Sequence, residues 1–170
     1  MALLVLLGAA SLAEAQIVVS STTASTVTIK EKEKSGREKG LVIRPEIGIG
    51  TGMLDVEMAC FGTVAYQFNP IIAVGGGVGL EYGFDLSRTT LPIYANARVY
   101  FCDRKWSPFL DLNLLYSIPI SQNSEFAAGF GWNGMIGVQF RKFDTGVMLH
   151  SSMGGGVMFC LAYNFQLKKR

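Results

Sequence analysis

The chain has one histidine, His150, in the run His150-Ser151-Ser152. Side chains two residues apart on an extended strand share a face. His150 and Ser152 would therefore stand together, as a general base and a nucleophile must. A hydrolytic triad also needs an acid to orient the imidazole, yet no Asp or Glu follows Asp144. The competing expectation is a histidine at the rim of the fold, close to its loops. Gly129-Phe130-Gly131-Trp132-Asn133-Gly134 matches the G-x-G-x-x-G pattern literally. A dinucleotide site needs that pattern between a strand and a helix. Here it lies inside an alternating segment with no helix pattern after it, so the glycines are expected to relieve crowding in a strand. Cys60, Cys102 and Cys160 have no metal-ligand spacing. They are expected to pack as small apolar residues, with a disulfide left open. No metal and no cofactor are expected.

The remaining polar chemistry lies in charges set inside apolar segments: Arg44, Glu46, Glu81, Arg98 and Asp111. What positions them is a period of two. Ile72, Val74, Gly76, Val78, Leu80, Tyr82 and Phe84 form one face of a segment, and Ala73, Gly75, Gly77, Gly79, Glu81 and Gly83 the other. Arg44 and Glu46 oppose Leu41, Ile43, Ile47 and Ile49. Asn96 and Arg98 oppose Ile93, Ala95, Ala97 and Val99. Asp111 and Asn113 oppose Leu110, Leu112 and Leu114. In the last segment Asn164 and Gln166 oppose Val157, Phe159, Leu161, Tyr163 and Phe165. One face is too small and too polar to build a core, and the other is a continuous apolar stripe. This is the alternation of a barrel with lipid outside and polar groups inside.

Composition agrees. Apolar residues make up 49%, charged residues only 16%, and mean hydropathy is +0.32, whereas soluble domains carry about a quarter charged residues. Beyond residue 20 there is no run long and apolar enough for a spanning helix. A bilayer otherwise accepts only a closed barrel. The expected fold is all-β, an eight-stranded antiparallel transmembrane up-and-down barrel. Its strands are placed at 41–51, 57–68, 71–84, 91–102, 107–118, 127–141, 143–151 and 156–167. Short connections at 69–70, 103–108 and 141–144 would share the periplasmic side with both chain ends. Aromatics gather near the strand ends. Tyr66, Phe68, Phe101, Trp106, Phe140, Phe143 and Phe165 are expected at one interface, and Tyr82, Phe84, Tyr116, Phe126 and Phe130 at the other.

Ahead of the barrel, residues 1–15 read as a signal peptide. Leu3 to Ala10 is its apolar core, and Ala13-Glu14-Ala15 is an A-x-A cleavage pattern. No Lys or Arg precedes that core. Residues 16–39 read as a periplasmic extension, and the run KEKEKSGREK at 30–39 as a solvated linker. The barrel domain is placed at residues 40–170. The net charge of +2 is scattered over linker, turns and C-terminus, so no nucleic-acid footprint forms.

The segments AYQFNPIIAVGGGVGLEYG (65–83) and LPIYANARVYFCDRKWSPFLDLNLLYS (91–117) resemble small outer-membrane β-barrel domain proteins of Bacteroidetes-type bacteria, the porin-like or OmpA-like barrels. The segment VMFCLAYNF (157–165) resembles the C-terminal signal read by the barrel assembly machinery, although Gln-Leu-Lys-Lys-Arg follows it. The resemblance implies an outer-membrane location among lipopolysaccharide and phospholipid, and implies no ligand or reaction. His150-Ser151-Ser152-Met153 loosely resembles the H-x-S-N motif of outer-membrane lipid A deacylases, with Met153 in place of Asn.

An eight-stranded barrel has room inside for little beyond its own side chains. Arg44 and Arg98 could pair there with Glu46, Glu81 and Asp111, closing the lumen and giving a structural or interaction protein without catalysis. The alternatives are a small-solute channel and, ranked lower, a lipid A-modifying hydrolase using His150 and Ser152. Oligomeric state is left open.

Overall fold

The computed structural model describes residues 36–52, 56–85, 87–121, 128–151 and 155–167. The expected signal peptide, residues 16–35 of the extension, Phe126 and Ser152 lie outside them. The strands are β1 (Gly40–Gly52), β2 (Val56–Gln67), β3 (Ile72–Gly83), β4 (Arg88–Tyr100), β5 (Trp106–Pro119), β6 (Gly129–Phe140), β7 (Phe143–His150), β8 (Gly156–Tyr163) and β9 (Phe165–Leu167). Each pairs antiparallel with its sequence neighbour from β1 through β8, and β1 pairs with both β8 and β9 to close the ring. The last predicted strand is thus present in two pieces that together make the eighth stave. The interruption has a cause on β1. The ladder runs Ile43↔Phe165 and resumes at Glu46↔Ala162. Pro45 lies between them and has no amide hydrogen to give. On its other side the stave stays paired, the Asn164 amide donating to the Lys142 carbonyl at 2.8 Å.

The alternation sorts each strand into an inward and an outward set. On β2 the pattern of exposed and buried residues is strictly alternating from Val56 to Gln67. The outward set is bulky and apolar on every stave: Ile47, Val64, Val78, Ile93, Leu112, Ile136, Val147 and Phe159 are all exposed. Leu114 and Phe130 are the extremes, at 72% and 92%. Arg44, Glu46, Glu81, Arg98 and Asp111 are all buried on the inward face.

The end of the barrel where the described chain begins and finishes is here called the near end. Its turns are tight. At the β2–β3 turn the Asn69 side-chain oxygen accepts from the amides of Ile71 and Ile72, each at 2.8 Å, an Asx turn that fixes the register of both strands. Outward aromatics meet edge-on at this end, as in Tyr66–Phe68 at 5.0 Å and the chain Phe143–Tyr163–Phe165 at 4.9 and 4.6 Å. At the far end Tyr82–Phe84 and Tyr116–Phe130 do the same, at 5.1 and 5.0 Å. Two aromatic girdles therefore bracket the apolar band.

Candidate functional site

The inward side chains fall into three groups along the axis. Nearest the near end is an ionic group. Arg98 and Asp111 face each other directly across β4 and β5, and Arg98 Nε donates to Asp111 Oδ2 at 2.5 Å. Arg44 reaches across the lumen from β1 to the same oxygen at 3.0 Å. Arg98 also donates to Asp144 from β7. Asn96 donates to Asp111 and, at 2.7 Å, to Asn113, and accepts from Arg44 at 3.1 Å. Asn164 donates to Asp144 at 2.8 Å. The Arg98 guanidinium lies 4.0 Å from the centroid of the Phe109 ring. Its side chain is wholly buried, so its partners replace water.

Of the five charges singled out in the sequence, the structure brings Arg44, Arg98 and Asp111 together. Glu46 is buried on the same face of β1 as Arg44, but it has no ion pair within 4 Å among the described residues. Glu81 is elsewhere, in the far half of the barrel, accepting from Thr90 Oγ1 at 3.0 Å. The second carboxylate of the network is Asp144, at the overlap of the expected 141–144 connection and the expected strand 143–151. Its parity on β7, two residues before Gly146 and four before Met148, was the available signal.

The middle group is apolar, against the expectation of an inward face too small and too polar to build a core. Phe61, Tyr94, Leu115, Met135, Met148, Met158 and Cys160 are buried together. Phe61 and Tyr94 meet edge-on at 6.0 Å, and the Tyr94 hydroxyl pairs with Thr63 Oγ1 at 2.8 Å. Glycines on β3 make the room: a Cβ on Gly79 would lie 2.4 Å from the Phe61 ring, and one on Gly77 2.5 Å from the Tyr94 hydroxyl. Cys60 faces outward, Cys102 lies beyond the end of β4, and all three cysteines are free thiols.

The far group contains His150. It ends β7, beside the far connection as the rim expectation has it, but its side chain points inward and is 1% exposed, with Nε2 3.2 Å from Glu57 Oε2. An acid for this imidazole does exist, and it comes from β2 rather than from downstream sequence. Barrel closure makes the contact. His150 pairs with Gly156, Gly156 with Gly52, and β2 follows β1. Gly156 makes the room, because a Cβ there would lie 2.5 Å from the Thr51 carbonyl and 2.6 Å from His150 Nε2, while one on Gly52 would press on the carboxylate end of Glu57. Ser151 is turned away, its Oγ accepting from the Trp132 amide at 2.7 Å. The proposed nucleophile, Ser152, lies outside the described residues. Among the described residues no three His, Cys, Asp or Glu side chains converge on a metal-sized gap.

The near mouth carries Arg37, a residue of the run expected to be a solvated linker. Arg37 is buried. Its Nε donates to the Pro70 carbonyl at 2.8 Å and its Nη1 to Gln139 Oε1 at 2.6 Å. Its Nη2 donates to the Cys102 carbonyl, and the guanidinium lies 4.2 Å from the Tyr100 ring centroid. Burial lowers the Arg37 pKa from its ordinary value, but a guanidinium stays charged.

No protein-family model and no curated protein sequence matches the chain. Solved structures do. The crystal structure of Neisserial surface protein A (NspA) superposes with a TM-score of 0.54 at 13% identity, covering 74% of this chain and 97% of that one. The N-terminal β-barrel domain of Pseudomonas aeruginosa OprF gives 0.52 at 14% identity, covering 75% and 100%. At such identity the likeness is one of fold. The fold of this chain is a small closed eight-stranded antiparallel β-barrel, like those of these two proteins.

Proposed function

We propose that this chain is an integral outer-membrane β-barrel with a structural or interaction role, its lumen closed by its own side chains, and without catalysis. The observation that carries the reading is the sorting of side chains. All eight staves expose large apolar groups outward, while the mid-strand ions are gathered inside. In water this arrangement would forfeit the hydrophobic driving force. In a bilayer it is enforced, since a basic residue on the lipid face at mid-depth costs about 2–4 kcal/mol. On this reading both chain ends are periplasmic, the outward surface meets lipopolysaccharide and phospholipid, and the barrel assembly machinery inserts the chain. The porin-like or OmpA-like class of Bacteroidetes-type barrels that the sequence resembles fits it.

Closure is supported by the three stacked groups, ionic, apolar and ionic again, which occupy a bore of the size that eight staves leave. The channel alternative needs a water path past Phe61, Tyr94 and the methionines. The hydrolase alternative gains an acid in Glu57. It still needs substrate at His150, whose side chain is almost wholly enclosed. The test is an outer-membrane fraction showing heat-modifiable gel mobility, followed by planar-bilayer recording. A folded, non-conducting protein is expected, and steady ion flux would reject closure. Lipid A mass spectra that change with His150→Ala would restore the enzyme.

A further inference from the structure

We infer that Arg37 is a latch that shuts the near mouth of the barrel independently of the ionic group deeper in the lumen. The inference rests on the proposed membrane barrel, with water at each end of the bore. Arg37 precedes β1 and belongs to no strand, yet its guanidinium ties three separate parts of the rim. These are the β2–β3 turn through Pro70, the β4–β5 connection through Cys102, and the end of β6 through Gln139. Tyr100, the last residue of β4, supplies the floor on which it stacks. A planar fork with five donors can satisfy three acceptors in one plane, which an ammonium cannot.

The approach is built for this. Gly36 adopts φ +75, with open space around it, a left-handed turn that directs the next residue inward. Behind Arg37, the Gln166 side chain donates to the Glu38 carbonyl and pins the segment to β9. The guanidinium borders a cavity of about 210 Å³ with Val42, Gln67, Tyr100, Gln139 and Asn164. Its rim partners include two carbonyls and a carboxamide, and the carboxylates of Asp103 and Asp144 offset part of the cost of its burial. It is a strap whose position sets whether the vestibule is wet.

The test is access to that vestibule. Val42 lines the cavity and is buried, so Val42→Cys, with Cys60, Cys102 and Cys160 each changed to Ala, reports on it. Detergent-folded protein is treated with iodoacetamide, a neutral reagent unaffected by removal of a charge. Labelling is expected to accelerate by about tenfold or more in Arg37→Ala, the consequence of losing several hydrogen bonds from a charged donor. Arg37→Lys is expected to fall between the two. Equal rates with and without Arg37 would overturn the latch. If Arg37→Ala does not fold, as read by heat-modifiable mobility, Gln139→Leu removes one acceptor and the same comparison decides. Ion flux through the unaltered protein would reject lumen closure while leaving the labelling comparison to judge the latch.

Discussion

Arg98 is the side chain on which the near-end ionic group turns, because it pairs with both Asp111 and Asp144. Removing one partner from a buried ionic cluster strands the others without water, which costs about 3–5 kcal/mol. Arg98→Ala should lower unfolding free energy in urea, in lipid vesicles, by that amount. A loss below about 1 kcal/mol would mean solvent already serves the two carboxylates. The His150–Glu57 contact makes a different prediction. Gly156→Ala places a methyl 2.5 Å from the Thr51 carbonyl and 2.6 Å from His150 Nε2. Overpacking of this kind costs about 1–3 kcal/mol. In a His150→Ala background part of that loss should vanish, giving a measurable coupling in a double-mutant cycle. Strict additivity would show that the imidazole does not occupy the space that Gly156 leaves. At this scale the sequence was partly legible. Parity alone put Arg44, Glu46, Glu81, Arg98 and Asp111 inside, because one misplaced residue would turn a whole strand around. Parity says nothing about which staves face each other across the bore. Asp111 was therefore seen without Asp144, and His150 without Glu57, its partner on a strand far away in sequence.

Among the elements, β1 is the least uniform. It closes the barrel against β8 and β9, it contains Pro45, and its ladder is interrupted there. Its outward face still follows the depth rule. Ile47, near the middle of the strand, is 58% exposed, while Leu41 stands at the near end. Ile47→Arg should cost about 2–4 kcal/mol in vesicle-folded protein and Leu41→Arg about 0–1 kcal/mol. Equal penalties at the two depths would argue against a bilayer around the strand. Strand number and order were readable because alternation, Asn69-Pro70 and the other short connections each constrain the same solution. The division of the last stave at Asn164 was not readable, since it arises from a proline on the strand that closes on it. Arg37 was missed for a related reason. The run around it is charged and lacks periodicity, and a buried fork of this kind leaves no trace in composition.

For the whole molecule the decisive property is which surface meets lipid. The sequence showed this through two faces of unlike chemistry, and the barrel sorts them with apolar groups outward and mid-strand ions inward. What the sequence could not show was how full the bore is, because the inward Phe61, Phe109, Met135, Met148 and Met158 stand on different strands and only ring closure brings them together. Both tryptophans, Trp106 and Trp132, face outward and are more than half exposed. They are native reporters of the surrounding medium. The most direct measurement is tryptophan fluorescence of the vesicle-folded protein, using lipids brominated along the acyl chain and aqueous iodide as competing quenchers, with Trp106→Phe and Trp132→Phe isolating each signal. Strong quenching by brominated chains with protection from iodide is expected for both, and deeper-placed bromines should be more effective for Trp132 than for Trp106. Free quenching by iodide with no response to brominated lipid would contradict the account.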